Sequence, residues 1–282
     1  MRIVTWNVNS LKARMPRVVE WIELMSPDVL CMQETKLADD SFPTEVFRNM
    51  GYESIHHGEG RWNGVAILSR IGLEDGAVGF QDGDGPDQDA RIVWATCGGV
   101  RIASAYIPNG REVGHDHYQY KLNWLSRLRA HLENNHSPDE NLALLGDFNV
   151  APEDRDVWDI QAFEGATHVS EPERKAFNNI LEWGLVDTLR ESYPDTDGMY
   201  TFWDYRQGSF YKRHGMRIDF VLSSNSLFNE LEVVMVDRNA RKGEKPSDHA
   251  PLLARAARPR RPAAARAAHL RRRHEGPLRA RR

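Results

Sequence analysis

No stretch constrains this chain more than Leu142-Ala143-Leu144-Leu145-Gly146-Asp147-Phe148-Asn149-Val150. Four apolar residues end at a glycine, and an acid and an amide follow within three positions. A short apolar run closed by a turn signal predicts a buried strand. Such a strand delivers a carboxylate and an amide to a sheet edge, where polar groups are costly unless something binds them. Positions i and i+2 of an extended chain face the same way. Asp147 and Asn149 can therefore hold a hard cation or grip a phosphate together. The competing reading is an Asx turn that merely closes the strand.

Repetition weighs against the turn. Asn7 follows Ile3–Trp6, Glu34 follows Val29–Gln33, and Asp219 lies in Arg217-Ile218-Asp219-Phe220-Val221-Leu222. Lys245-Pro246-Ser247-Asp248-His249-Ala250-Pro251 sets an acid and a histidine between two prolines, which deny that stretch a helix. Taken singly, an Asp beside Pro is a turn former and a lone His a structural residue. Together these strand ends carry Asp, Glu, Asn and His with no cysteine, a hard donor set that favours Mg²⁺ or Mn²⁺ over zinc. Carboxylates, one His and a Tyr then make a phosphoester-cleaving set.

The intervening pattern is α/β or mixed α+β. A helix starting near Pro16 carries Val18, Val19, Ile22 and Met25 on one face and stops at Pro27, so strand, helix and strand suggest a βαβ crossover. Gly64–Ser69 reads as a strand, and Arg91–Thr96 and Val100–Ile107 flank Gly98-Gly99 as a hairpin. Residues 80–90 are rich in Gly and Asp and predict an exposed loop. His115–His136 predicts a long helix with Leu122, Leu125, Leu128 and Leu132 as its stripe, and Pro172–Gly184 another with Phe177, Ile180 and Leu181 buried. Met199–Tyr205 reads as an aromatic strand; Ile218–Ser223, Leu231–Asp237 and Leu252–Ala254 as further ones. The strand-to-Asn-loop transitions at Asn7 and at Asn149 echo each other faintly, as two facing halves would.

Length and composition bound the rest. The 282 residues allow one large domain or two ordinary ones, and no apolar run approaches a membrane span. The N-terminus lacks the h-region of a signal peptide. Cys31 and Cys97 sit in apolar runs and read as reduced thiols of a cytosolic protein. Ten of the 37 basic residues and one of the 41 acidic ones lie in 258–282, leaving 27 against 40 in the rest. Residues 1–257 thus read as one acidic domain and 258–282 as a disordered Arg/Ala/Pro-rich tail, either a solvated extension or a nonspecific nucleic-acid-binding arm.

With these residues in view, the chain resembles the exonuclease III family of AP endonucleases, within the endonuclease/exonuclease/phosphatase superfamily. Nine motifs carry the resemblance in family order over about residues 1–255. They are Thr5-Trp6-Asn7-Val8-Asn9-Ser10, Gln33-Glu34-Thr35-Lys36, Asn63-Gly64-Val65-Ala66, Ala105-Tyr106-Ile107-Pro108-Asn109-Gly110, Gly146-Asp147-Phe148-Asn149, Trp183-Gly184-Leu185-Val186-Asp187, Thr201-Phe202-Trp203-Asp204-Tyr205, Arg217-Ile218-Asp219 and Pro246-Ser247-Asp248-His249-Ala250-Pro251. The resemblance implies a DNase I-like, four-layer sandwich of two packed mixed β-sheets flanked by helices, with the site at one end of the sheets. It also implies a Mg²⁺-dependent (Mn²⁺ as substitute), monomeric, cytoplasmic and nucleoid-associated DNA repair nuclease. That enzyme would hydrolyse double-stranded DNA 5′ to abasic sites and act on 3′-blocked ends by 3′-5′ exonuclease and 3′-phosphodiesterase activity.

By the same resemblance Glu34, with Asn7 and Asp248, would hold the metal, and Asp147 would activate water or bind a second ion. Asn149 and Tyr106 would contact phosphate oxygens, and His249, oriented by Asp219, would bond the phosphate or act as base; Asn149 and His249 also belong to the implied metal set. Phe202, Met216 and Ile218 fall at the positions of the abasic-sugar pocket, where Met216 is softer than the aromatic of some relatives. Asn109, Arg111, Lys36, Lys212 and Arg213 are phosphate-contact candidates. The tail is foreign to the family pattern. A phosphoinositide-type substrate is the first alternative, opposed by Thr201–Tyr205, which matches the DNA-acting branch. A silent DNA-binding homologue is the second, opposed by the complete ligand set.

Overall fold

Several of the apolar runs have no polar face at all. Val29–Gln33, Val65–Ser69, Leu142–Asp147 and Asp219–Ser224 are buried at every position. A strand buried on both faces needs cover on both, so the sheets that contain them must lie between other layers. The computed structural model, which describes residues 1–80, 82 and 89–256, shows how this is met.

The strands are β1 (Arg2–Asn7), β2 (Val29–Gln33), β3 (Glu53–His57), β4 (Val65–Ser69), β5 (Glu74–Val78), β6 (Ile92–Cys97), β7 (Val100–Tyr106), β8 (Leu142–Asp147), β9 (Leu185–Asp187), β10 (Asp219–Ser224), β11 (Leu231–Val236) and β12 (Leu252–Ala256). They form two six-stranded sheets, β11-β12-β1-β2-β4-β3 and β5-β6-β7-β8-β10-β9. Each sheet has a parallel pair near its centre, β1 with β2 and β7 with β8. Parallel neighbours require a crossover. Helix α1 (Leu11–Met25) supplies the first, and a long helix (Asp116–Asn135) the second. The faint echo between the two strand-to-loop transitions thus has a structural counterpart in two similarly built halves.

The sheets bury Ile3, Cys31 and Ile67 against Ile102, Leu145 and Val221. Outside the first sheet, Val18, Trp21 and Ile22 of α1 and Phe47 of α2 (Thr44–Asn49) cover Val4, Trp6 and Leu68. Outside the second, Trp124 and Leu128 of the long helix, now α3, and Phe177 and Ile180 of α4 (Glu171–Glu182) cover Trp94, Leu144 and Phe220. Four layers result, as the resemblance implied. Both cysteines are buried and free. No helix among the described residues is long and apolar enough to cross a membrane.

The structure corrects several boundaries. Helix α1 begins at Leu11, capped by Ser10, and takes Pro16 into its interior. The carbonyl that Pro16 leaves without its helical donor belongs to Lys12, which is exposed, so water can satisfy it. Met199–Tyr205 is not a strand: only Phe202 makes isolated bridges, to Met216 and His249, as the segment crosses the sheet ends. Helix α3 buries Lys121 within its apolar face, whereas Leu122 is only partly buried. Strands β3, β5 and β9 were not anticipated: β3 and β5 lack an apolar run, and β9 is only three residues long. Most of the 80–90 loop and the 258–282 tail lie outside the described residues.

Candidate active site

The register of the second sheet does most of the assembly. Tyr106 pairs with Asp147 across β7 and β8, and Asp147 pairs with Asp219 across β8 and β10. Residues opposite one another on adjacent strands project to the same face, so three polar side chains line one sheet end. Gly146 lets β8 lie close to β7 there: a Cβ on it would meet the Ala105 carbonyl oxygen at 1.9 Å.

The first sheet brings the rest. Asn7 ends β1, Glu34 follows β2 in left-handed backbone (φ 50°), and His249 precedes β12. The Asn7 amide spans the two sheets, donating to Glu34 Oε1 at 3.0 Å and to Asp147 Oδ2 at 2.9 Å. Ser247 Oγ donates to the Asn7 carbonyl at 2.7 Å, tying the proline-flanked loop to β1. His249 Nδ1 lies 2.8 Å from Asp219 Oδ2, and its Nε2 lies 3.8 Å from Asp147 Oδ2. The Asn149 backbone N–H donates to Asp147 Oδ1 at 2.9 Å, which is the local Asx geometry, present here inside a larger constellation.

Glu34, Asp147 and His249 each offer a ligand atom, and these lie within 4.8 Å of one another. Two carboxylates and an imidazole without thiol suit a hard divalent cation. Asp248 is not in this group: it accepts from Asn9 Nδ2 at 3.0 Å, Asn9 Oδ1 accepts from Lys36 Nζ at 2.6 Å, and Lys36 pairs with Glu34 Oε2 at 2.8 Å. Asp248 thus reaches Glu34 through two intermediaries. Lys36, a phosphate-contact candidate, is engaged with Glu34.

The surroundings split the titratable groups. Burial raises Asp147, opposed by His249 and reinforced by Asp219, and leaves it at about 7. Burial acts against charge on His249 too, but Asp219 and then Asp147 outweigh it and push the imidazole up to about 10. Burial also acts against charge on Glu34, yet Lys36 and Asn7 prevail and hold it below the usual carboxylate range. Burial, then the charges of Glu34 and Asp147, raise the Tyr106 phenol well above its ordinary value. Near neutral pH the site therefore presents an ionised Glu34, a titrating Asp147, an imidazolium and a protonated phenol.

The pocket candidates also converge. Met216 and Ile218 pack with Ala151 and Val157, and Phe202 lies against this cluster with its ring 4.9 Å from that of His249. Asn109 Nδ2 donates to Asn149 Oδ1 at 3.1 Å. Arg111 is exposed two residues on, in left-handed backbone, its N–H donating to Asn109 Oδ1. Sequence reasoning missed Asn9 and Ser247, although both stand inside quoted motifs. It also missed His168, in left-handed backbone (φ 82°), whose Nε2 is 3.2 Å from Asn149 Oδ1. No local pattern marks His168.

Comparison with known proteins identifies the family. The model of the Endonuclease/Exonuclease/phosphatase family matches residues 4–249. Exodeoxyribonuclease III of Haemophilus influenzae is 31% identical, over 90% of this chain and 99% of its own length. An AP endonuclease from Archaeoglobus fulgidus superposes with a TM-score of 0.88 at 36% identity, covering 92% of this chain and 100% of that one. The 3′ phosphatase NExo from Neisseria, bound to product DNA hairpin, superposes at 0.87 with 38% identity and the same coverage. The chain belongs to the Endonuclease/Exonuclease/phosphatase family, among its DNA repair nucleases.

Proposed function

We propose that the protein is a Mg²⁺-dependent hydrolase of phosphoester bonds in double-stranded DNA, acting 5′ to abasic sites and on blocked 3′ ends. The observation that carries this reading is the junction of the two sheets, where Asn7 bonds both Glu34 and Asp147 while His249 faces Asp147 and Asp219. Glu34 and one oxygen of Asp147, with the Asn7 amide turned to present its oxygen, would hold the ion; His249, an imidazolium here, has no lone pair to offer it. When bound, Mg²⁺ screens the phosphate and stabilises the leaving oxygen.

The protein's own groups supply the remainder. Asp147, with a pKa of about 7, accepts the proton of the attacking water, the task for which a base near the working pH is best suited. The His249 imidazolium, kept charged by Asp219, donates to a non-bridging phosphate oxygen. The Tyr106 phenol and the Asn149 amide are further donors as charge builds on that group. Phe202, Met216 and Ile218 would accept an extruded sugar that lacks a base, the nucleotide least costly to flip.

Processing of 3′ ends is favoured as a parallel activity by the Neisseria likeness, since that protein is described as a 3′ phosphatase. Two duplexes test the reading, one with an internal tetrahydrofuran abasic analogue and one with a 3′-phosphate, each with Mg²⁺ or with EDTA. Metal-dependent product from either duplex supports hydrolysis, and the ratio of the two rates ranks the substrates. No metal-dependent product from both contradicts the proposal.

A further inference from the structure

Behind the asparagines lies a buried ion pair that the mechanism does not use. Lys121 of α3 and Glu173 of α4 are in contact, and both side chains are 0% exposed. An ammonium has three donors, and Lys121 directs them at the Asn149 carbonyl (2.6 Å), the Asn109 carbonyl (3.3 Å) and Glu173 Oε1. Glu173 also accepts from Thr167 Oγ1 at 2.7 Å, from the His168 N–H at 3.0 Å and from the Ser170 N–H at 3.2 Å. One ion pair therefore fixes the backbone of three separate segments, and these are the segments that meet at Asn149 Oδ1.

Capping alone does not account for the pair: Glu173 closes the capping box of α4 with Ser170, but that needs no Lys121 on two carbonyls of other segments. Apolar replacement of a buried ion pair is often neutral, while loss of one partner is costly. Positioning does account for it. Asn149 sits in left-handed backbone (φ 52°), a conformation that Asn tolerates better than other non-glycine residues but that is still steadied by a local constraint. The bond from Lys121 to its carbonyl is such a constraint. Neither charged group is exposed toward the substrate, so both can act only through the residues they hold.

We infer that Lys121 and Glu173 are positioning residues for phosphoester hydrolysis, holding Asn149 and Asn109 in place for the reacting phosphate. This rests on the proposed contact between Asn149 and that phosphate. If the pair acts through Asn149, its removal and the removal of the Asn149 side chain are not independent.

The test compares wild type, Asn149→Ala, the pair variant Lys121→Met/Glu173→Leu and the triple variant on the 3′-phosphate duplex. Replacing both partners leaves no uncompensated charge; should that variant not fold, Lys121→Gln/Glu173→Gln, which is neutral yet keeps polar groups beside the same carbonyls and N–H groups, takes its place. The pair variant is expected to melt cooperatively, with kcat lowered roughly 10- to 100-fold and with KM and the Mg²⁺ midpoint moved by less than about threefold, as fits a group that acts only in the transition state. The triple variant should be within about threefold of Asn149→Ala, because residues acting as a unit are non-additive. A pair variant at wild-type rate, or fold-reductions that multiply in the triple, overturns the inference. An Asn149→Ala variant at wild-type rate removes the phosphate role of Asn149 itself, and the inference falls with it.

Discussion

At the residue scale, two carboxylates a few ångströms apart are driven in opposite directions by their neighbours. Glu34 gains Lys36 and the Asn7 amide and stays ionised, while Asp147 loses water and rises to about 7. Glu34→Gln should therefore act on the metal first: the Mg²⁺ midpoint is expected to rise about tenfold or more, read from the metal titration of the cleavage rate. An unchanged midpoint would remove Glu34 from the ion. His249 gives a second prediction. Its folded pKa, about 10, is raised by Asp219 and Asp147, so the imidazolium persists through neutral pH and is lost as pH climbs through that value. Asp219→Asn removes the first of those charges and must lower that pKa. The alkaline limb of kcat/KM should then shift to lower pH, and a limb that stays put would exclude the imidazolium from the reaction. These residues were legible in sequence because an acid or amide at the end of an apolar run has few cheap explanations. His168, Lys121 and Glu173 were not, because the contacts that tie them to the site, His168 to Asn149 and Lys121 to Glu173, span 19 and 52 residues of chain.

At the element scale, the buried central strands announce themselves, whereas three of the four edge strands, β3, β5 and β9, do not. Strand β8 is apolar at Leu142–Leu145 and buried throughout, whereas β5 reads Glu-Asp-Gly-Ala-Val and is largely exposed. An edge strand is held by its ladder to one neighbour, and a sequence does not show its ladder partner. Met199–Tyr205 misled for the converse reason, since its aromatic residues pack separately and not along a pleat, Phe202 against the Met216 cluster and Trp203 against Phe210. Gly146 is the point where β8 is most sensitive. Gly146→Ala forces a Cβ onto the Ala105 carbonyl oxygen, and overpacking of this kind costs about 1–3 kcal/mol or more. The expected outcome is a lower Tm with a disproportionate loss of cleavage, because Asp147 is the next residue. On β3, His56 stacks on Phe42 with ring centroids 4.3 Å apart and lies 3.0 Å from Thr35 Oγ1. Burial depresses it to about 4 despite Asp39. A histidine kept neutral when folded binds its proton more readily when unfolded, so stability falls as pH drops from about 6.5 toward about 4. Urea midpoints across that window should decline, and His56→Gln should flatten the decline.

At the scale of the whole molecule, two similarly built sheets meet so that neither alone holds a complete site. Asn7, Glu34 and His249 come with one, Tyr106, Asp147 and Asp219 with the other, and the Asn7 amide joins them. Among the described residues the last strand ends at Ala256. We therefore expect a chain truncated after residue 257 to fold and to keep its Mg²⁺-dependent specific activity; if it did not, the catalytic domain would extend into the Arg-rich segment. Activation of the attacking water by Asp147 is the step on which the proposed hydrolysis turns. Its most direct test is a single-turnover cleavage rate for wild type and Asp147→Asn, each prebound to the same 3′-phosphate duplex at saturating Mg²⁺. Loss of a general base should slow the variant by about 10²–10⁴-fold while it still retains the duplex. A variant that retains the duplex and cleaves within a fewfold of the wild-type rate would contradict the account.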